Sequence, residues 1–291
     1  MFVILGGNGK VGRATIAELR RRGAPVRAVV RDPSTAAELR ALDCEIAVAD
    51  LRDAASLERA IGGASAVQVI CPMSVRADDA PSHMEASIRA ITHALDRVRP
   101  EAVLAISDYG AQLSAGTGVT LTFHHLEAQL RRIPSRLTLL RSAEHMQNWS
   151  RLVDAAAKTG ILPSLHHPVT KLFPTVSAPD VGTIAADLLT SGDDAGMRIV
   201  HAEGPRRYSA RDVAAALGEL VGREVGAIEL PRSDWVSTLV RGGLGRSYAE
   251  LVAALHDAHN AGQIDVEHRV GEIRRGQTEL REALSLLPTR P

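Results

Sequence analysis

The chain has 291 residues, 45% of them hydrophobic and 23% charged, with 34 basic residues against 34 acidic ones. That length suits one α/β domain with an added lobe. The apolar content excludes a disordered chain, and the balanced charge leaves no excess to draw nucleic acid or an anionic membrane. Cys44 and Cys71 sit in apolar runs without CxxC spacing, so they read as buried small hydrophobes in a reducing compartment and suggest no metal site. No apolar run approaches the roughly twenty residues of a membrane span, and the first strand begins at residue 2. The expectation is a cytoplasmic protein without a signal peptide.

Met1 to Gly12, MFVILGGNGKVG, reads as a buried strand (Phe2 to Leu5) running into a glycine turn and then a helix, Val11 to Arg22, closed by Gly23. Gly7, Gly9 and Gly12 fit G-x-G-x-x-G, while Gly6, Gly9 and Gly12 fit G-x-x-G-x-x-G. Both spacings serve a sharp turn, close approach of backbone to a pyrophosphate, and tight packing of helix on strand. Free N–H groups at the helix start face the anion. A P-loop is excluded, because Lys10 is followed by Val11 and not by Ser or Thr. The second strand, Pro25 to Arg31, ends where such a fold chooses its cofactor. A guanidinium at Arg31 matches the 2′-phosphate of NADP, where an acidic residue would bond the ribose of NAD. The alternative is a surface charge paired with Asp32.

Ser34 is the expected cap of a short helix. Strands follow at Cys44 to Ala49, Ser65 to Cys71 and Glu101 to Ile106, separated by helices beginning at Asp53 and running from Met84 to Val98. After a loop, Gly110 to Gly118, come a helix from Thr122 to Arg132 and a sixth strand, Arg136 to Leu140. Helix Asp180 to Leu189 and strand Met197 to Ala202 return to the sheet. This alternation predicts a Rossmann-type, doubly wound parallel sheet. Beyond Gly204 the pattern turns mainly helical: Ala210 to Val221 capped by Ser209, a strand-like Val225 to Leu230, then helices around Trp235, Tyr248 to His259 and Glu279 to Leu287. The expected division is a cofactor domain over 1–203, with 142–175 contributing to the substrate pocket, and a smaller lobe over 204–291 covering the carboxyl ends of the strands.

GGNGKVG, VVRDP, ADLRDAASLERAIGGASAV, ISDYGAQ, the HLEAQL to TLLR segment and ALHDAHNAGQI together resemble the NmrA-like branch of atypical short-chain dehydrogenases. Relatives in that branch include NADPH-dependent quinone reductases, isoflavone-reductase-like enzymes and NADP-binding regulators of transcription factors. The resemblance implies that Gly6, Asn8, Gly9, Lys10, Val11 and Gly12 hold the pyrophosphate side, Arg31 the 2′-phosphate, and Asp50 with Leu51 the adenine. Cys71, Pro72 and Ser107 would line the nicotinamide end. Asp50 could instead cap the next helix, and Ser107 could satisfy a strand-end backbone group.

Classical members place a tyrosine four residues before a lysine, and this chain has no such pair. Tyr109, Tyr208 and Tyr248 are followed at that spacing by Leu113, Asp212 and Val252. The lysine of isoflavone-reductase-like enzymes aligns with Phe123. His124 and His125 adjoin that position and, with Ser107, are the catalytic candidates, one imidazole supplying a proton. Helical geometry lets at most one of the two face the nicotinamide. His145, Met146 and Asn148 are expected at the substrate pocket, with Trp149 packing beneath the lobe. His166-His167-Pro168 is too isolated to suggest a metal. The expected function is hydride transfer from NADPH to a quinone or similar electron-poor small molecule. The alternative is a non-catalytic NADP(H) sensor acting on a protein partner.

Overall fold

The computed structural model, which describes residues 1–192 and 196–286, carries the β-α alternation from its first residues. The first half runs β1 (Phe2–Leu5), α1 (Lys10–Arg21), β2 (Val26–Val30), α2 (Ala37–Ala41), β3 (Glu45–Val48), α3 (Ala54–Ile61), β4 (Ala66–Val69), α4 (Ala80–Val98), β5 (Ala102–Asp108), α5 (Val119–Leu130) and β6 (Arg136–Ser142). The second runs β7 (Glu144–His145), α6 (Val153–Thr159), β8 (Ile161–Ser164), β9 (Thr175–Val176), α7 (Ala178–Thr190), β10 (Met197–Glu203), α8 (Ala210–Val221), β11 (Gly226–Glu229), α9 (Trp235–Arg241), α10 (Arg246–Asn260), β12 (Glu272–Arg275) and α11 (Leu280–Ser285). Leu287, the last residue expected in the final helix, lies outside the described residues. Among the described residues no helix is long and apolar enough to cross a membrane.

Eight strands form one sheet in the order β12-β10-β6-β5-β4-β1-β2-β3, and every pairing in it is parallel. The six strands from β3 to β6 follow the doubly wound Rossmann order, whose ligand crevice opens at the carboxyl ends of β1 and β4, where the winding reverses. Helices cover both faces. On one side Leu57, Ile91, Leu95 and Leu126 of α3, α4 and α5 meet Val67 and Val103. On the other, α1 and α7 bring Val11, Val181 and Ile184 against Leu140 and Val200. A sheet covered twice needs strands that are apolar at successive positions, as in β1, Phe-Val-Ile-Leu.

The lobe is built from two excursions of the chain. The stretch between β6 and α7 supplies β8, the stretch after β10 supplies β11, and the two strands pair in parallel with Leu162 opposite Ala227. Beneath them Trp149, Phe173, Tyr208, Val213, Leu217 and Leu280 form a separate core. The region beyond Gly204, expected to be lobe throughout, sends β12 back to the sheet edge, with Glu203 of β10 opposite Arg275. A four-residue parallel ladder holds it there, flanked by two ion pairs: Arg198 binds Glu272 at 2.9 Å, and Arg275 reaches the buried Glu203 at 3.5 Å. All four residues of β12 are exposed, so no apolar alternation marks the strand.

Candidate active site

β1 delivers the chain into the turn that opens α1. Gly9 is the N-cap of this helix, no side chain bonds to its first turn, and no acidic residue lies there. The first N–H groups of a helix lack internal partners, so this end is open to an anion. Gly12 secures the packing, since a Cβ there would stand 2.5 Å from the Gly6 carbonyl oxygen. A Cβ on Gly9 would meet only that oxygen, at 3.3 Å. A cleft of about 300 Å³ runs past this turn, lined by Gly9, Lys10, Val11, Gly12, His145 and Arg151 among others.

Burial and the charge of Arg151 hold the Lys10 ammonium below the usual lysine range. Neither cation makes an ion pair among the described residues, so two positive groups share one cleft. Asn8 donates through Nδ2 to the Thr35 hydroxyl, while its Oδ1 is buried without a partner. A bare helix start, a glycine-rich turn, two cations and an orphaned amide oxygen fit the pyrophosphate side of a dinucleotide.

Arg31 follows β2, exposed and without a hydrogen bond or ion pair among the described residues. Asp32 does not pair with it. Asp32 accepts from the Ser34 N–H at 2.8 Å and so caps the turn assigned from sequence to Ser34. Asp50 does not cap α3 either: Asp53 does, accepting from the Ala55 N–H at 3.0 Å. The Asp50 carboxylate binds Arg52 at 3.0 Å, and that bond holds it below the usual range. Leu51 is half-buried against the core beside α3.

Beyond the turn the cleft opens into a cavity of about 450 Å³. Val11, Ile70, His145, Asn148 and Arg151 line both spaces. Cys71, Pro72, Ser107 and Asp108, at the carboxyl ends of β4 and β5, line it together with Phe123, Trp149, Leu239, Tyr248 and Leu255. Burial pushes the Cys71 thiol up to about 12, so it is an apolar wall and not a nucleophile. Burial likewise pushes His145 down to about 4, a neutral imidazole whose Nε2 lies 3.0 Å from the Ser142 hydroxyl.

Ser107 donates to Glu127 at 2.7 Å, and Glu127 in turn takes two bonds of 2.8 Å from Arg141. Ser107 and Arg141 are register partners across β5 and β6, so this buried network ties strand ends to α5. Burial works against the charge on Glu127, but the bond and charge of Arg141 hold its carboxyl below the usual range. Asp108, next along β5, behaves oppositely. Burial pushes its carboxyl up to about 7 against a bond from the Thr120 hydroxyl, and the charge of Glu144 adds to the rise. The cavity therefore contains a carboxyl that keeps a proton near neutrality, a residue missed in the sequence although it ends a strand at the ligand edge of the sheet.

Three expected site residues face elsewhere. His124 turns its Nδ1 to the Ala111 carbonyl at 2.9 Å, His125 is exposed, and neither lines the cavity. With 100° between successive helical positions, Val119 and Phe123 occupy the inward stripe of α5 and carry the histidines past it. Met146 is fully buried in the lobe core. It opens a 3₁₀ segment, Met146–Leu152, whose three-residue period puts His145, Asn148 and Arg151 on one stripe and Gln147 and Ser150 on a second, both lining the cleft, and Met146 on the third. That period is the signal by which Arg151 could have been found. Trp149 both packs beneath the lobe, as expected, and lines the cavity.

The fold and the glycine turn define a dinucleotide-binding protein. A sequence model of the family described as NAD(P)H-binding matches residues 6–160, and the chain belongs to that family. It is similar to the NAD(P)H azoreductase of Xenophilus azovorans, 24% identical over 275 residues, 93% of this chain and 92% of that one. Quinone oxidoreductase 2 of Escherichia coli strain K12 is 24% identical over 258 residues, covering 87% and 86%. The triphenylmethane reductase of Citrobacter sp., solved with NADP(H), superposes with a TM-score of 0.81 at 18% identity over 98% and 99% of the two chains, a likeness of fold. These relatives agree with the NmrA-like, atypical short-chain reductase resemblance of the sequence.

Proposed function

We propose that this protein is an NADPH-dependent reductase that passes hydride to a quinone or a similarly electron-poor, conjugated small molecule. The observation that carries this reading is the cavity of about 450 Å³ continuous with the cofactor cleft. Its volume is that of a site for one small ligand, and Phe123, Trp149, Leu239 and Leu255 give it flat or apolar walls suited to a conjugated ring. Lys10, Arg151, Asn8 and the turn at Gly9 would hold the cofactor phosphates, and Arg31 the 2′-phosphate. Bound NADPH supplies a hydride.

The chain's own residues enclose the acceptor, exclude water and hold the proton that completes the reduction. A quinone that gains one hydride and one proton becomes a hydroquinone. It needs little electrophilic help, so close positioning and one proton source suffice. Asp108 holds that proton. The names of the azoreductase and the quinone oxidoreductase support an acceptor of this kind.

The test is NADPH oxidation by purified protein with quinones, azo compounds, aldehydes and imines. Rapid turnover with quinones or azo compounds is expected. Tight NADPH binding without turnover of any acceptor would overturn the reading in favour of a sensor. In that case NADPH and NADP⁺ should protect the lobe beyond Gly204 differently from proteolysis, because a ligand shifts conformation only by binding two states unequally.

A further inference from the structure

We propose that Glu144, His166 and His256 form a binding site for Zn²⁺ or a similar divalent transition ion, opening into the acceptor cavity. The donors come from β7, from the segment after β8 and from α10. One ligand atom from each lies within 4.8 Å of both others, and Oε2 of Glu144 is 3.1 Å from Nε2 of His166. Two imidazoles on one tetrahedral ion, with metal–nitrogen bonds of ~2.1 Å, have ring centres ~5 Å apart. The ring centres of His166 and His256 are 4.8 Å apart. His259, one turn along α10, has its centre 5.4 Å from that of His166 and 6.0 Å from that of His256.

The proton of His256 sits on the far nitrogen. Its Nδ1 is 2.9 Å from the Val252 carbonyl, which accepts only from an N–H, so Nε2 keeps its lone pair. A metal-binding histidine is fixed by this kind of backbone bond. The charge of Glu144 gives an independent argument. Its side chain is 14% exposed and makes no ion pair with lysine or arginine among the described residues. A carboxylate taken out of water without a cation is costly, and a divalent ion would supply the missing charge. Lys171, whose charge reaches His166, is turned to the carbonyls of His259 and Asn260 at 2.8 and 2.7 Å.

Two nitrogens and one carboxylate oxygen form a donor set for zinc-like ions rather than for calcium or magnesium. Glu144, His256 and His259 line the cavity wall, so the fourth position faces the space where an acceptor would sit. An open position is the pattern of a catalytic and not a structural ion. Polarisation of an acceptor carbonyl by the ion rests on the reductase reading, whereas occupancy of the site does not.

The experiment is calorimetric titration of chelator-treated, full-length protein with Zn²⁺, followed by Co²⁺ as an absorbing probe. One equivalent of Zn²⁺ per chain is expected, with Co²⁺ producing the intense visible bands of a four-coordinate site. His256→Ala and Glu144→Gln, each checked by circular dichroism and melting temperature, should weaken binding roughly 100-fold or more, the upper end of what even an outer-shell partner contributes. His93→Ala, at a surface histidine beside Glu58, should leave binding unchanged. Absence of stoichiometric binding in the wild type, or unchanged affinity in folded His256→Ala and Glu144→Gln, would overturn the proposal. The readout is metal binding alone, so this result and the NADPH turnover result fail independently.

Discussion

The cofactor cleft and the acceptor cavity adjoin, yet they are made differently. At its phosphate end the cleft is made by one contiguous stretch, Gly9 to Gly12, whose helix start offers backbone N–H groups, with the segment from His145 to Arg151 facing it. The cavity is made of side chains that strands, a 3₁₀ segment and four helices bring together from Val11 to Ile264. A site made of backbone tolerates few residues at each position, and so it shows in local sequence. A site made of side chains requires only that the fold bring suitable groups together.

The sharpest break in that comparison is at the turn itself. Gly9→Val should lower NADPH affinity roughly 100-fold or more while the protein stays folded, because the free chain has room for a side chain that bound phosphate would not. Gly12→Val should fail one step earlier, at folding, since its Cβ would already press on the Gly6 carbonyl. Calorimetric titration for the first and a melting temperature for the second separate the two roles. A folded Gly9→Val protein with normal NADPH affinity would move the cofactor elsewhere.

Next in size is Asp108, on the cavity side. Its carboxyl is protonated below about pH 7 and ionised above, because burial penalises the charged form. As the proton donor it should support turnover on the acid side, with the rate falling as pH rises through that value. Asp108→Asn should lower turnover roughly 10²-fold, flatten that fall and leave NADPH affinity unchanged. A full-rate Asp108→Asn enzyme with the wild-type profile would make water the donor.

Arg31→Ala tests the outer edge of the cleft. One charged hydrogen bond contributes roughly 1.5 to 3 kcal/mol, so the preference for NADPH over NADH should drop about tenfold or more. Equal affinity of the wild type for both cofactors would remove the assignment. Among the described residues Arg31 makes no hydrogen bond or ion pair that a phosphate would have to displace.

The doubly wound parallel sheet, its alternating helices and the glycine turn were legible in the sequence, because buried parallel strands and a strand–glycine–helix junction impose local patterns. β12 was not: EIRR pairs at a sheet edge with all four residues exposed and leaves no apolar alternation. Asp108 was not legible either, since nothing in the local sequence ISDYGAQ distinguishes a carboxyl that will be buried from one that caps a turn. His166 looked isolated because the residues beside it in space, Glu144 on β7 and His256 on α10, approach only when the two excursions of the lobe close on each other.

The smallest expected effect concerns the two histidines singled out by sequence proximity to Phe123. His124 bonds to the Ala111 carbonyl and His125 is exposed, so neither lies where an acceptor would meet it. His125→Ala should leave turnover, NADPH affinity and pH profile as in the wild type. His124→Ala removes one hydrogen bond to the loop that precedes α5 and should cost about 1 kcal/mol of stability, seen as a small fall in melting temperature, with turnover unchanged. These variants sharpen the contrast because Phe123, one residue earlier, lines the cavity. Phe123→Ala should raise KM for a flat acceptor by removing ring contact while leaving NADPH affinity intact. If instead His124→Ala or His125→Ala lowered turnover tenfold or more, α5 would have to turn by about one residue in the bound state. The inward stripe of Val119 and Phe123 would then no longer describe the working site.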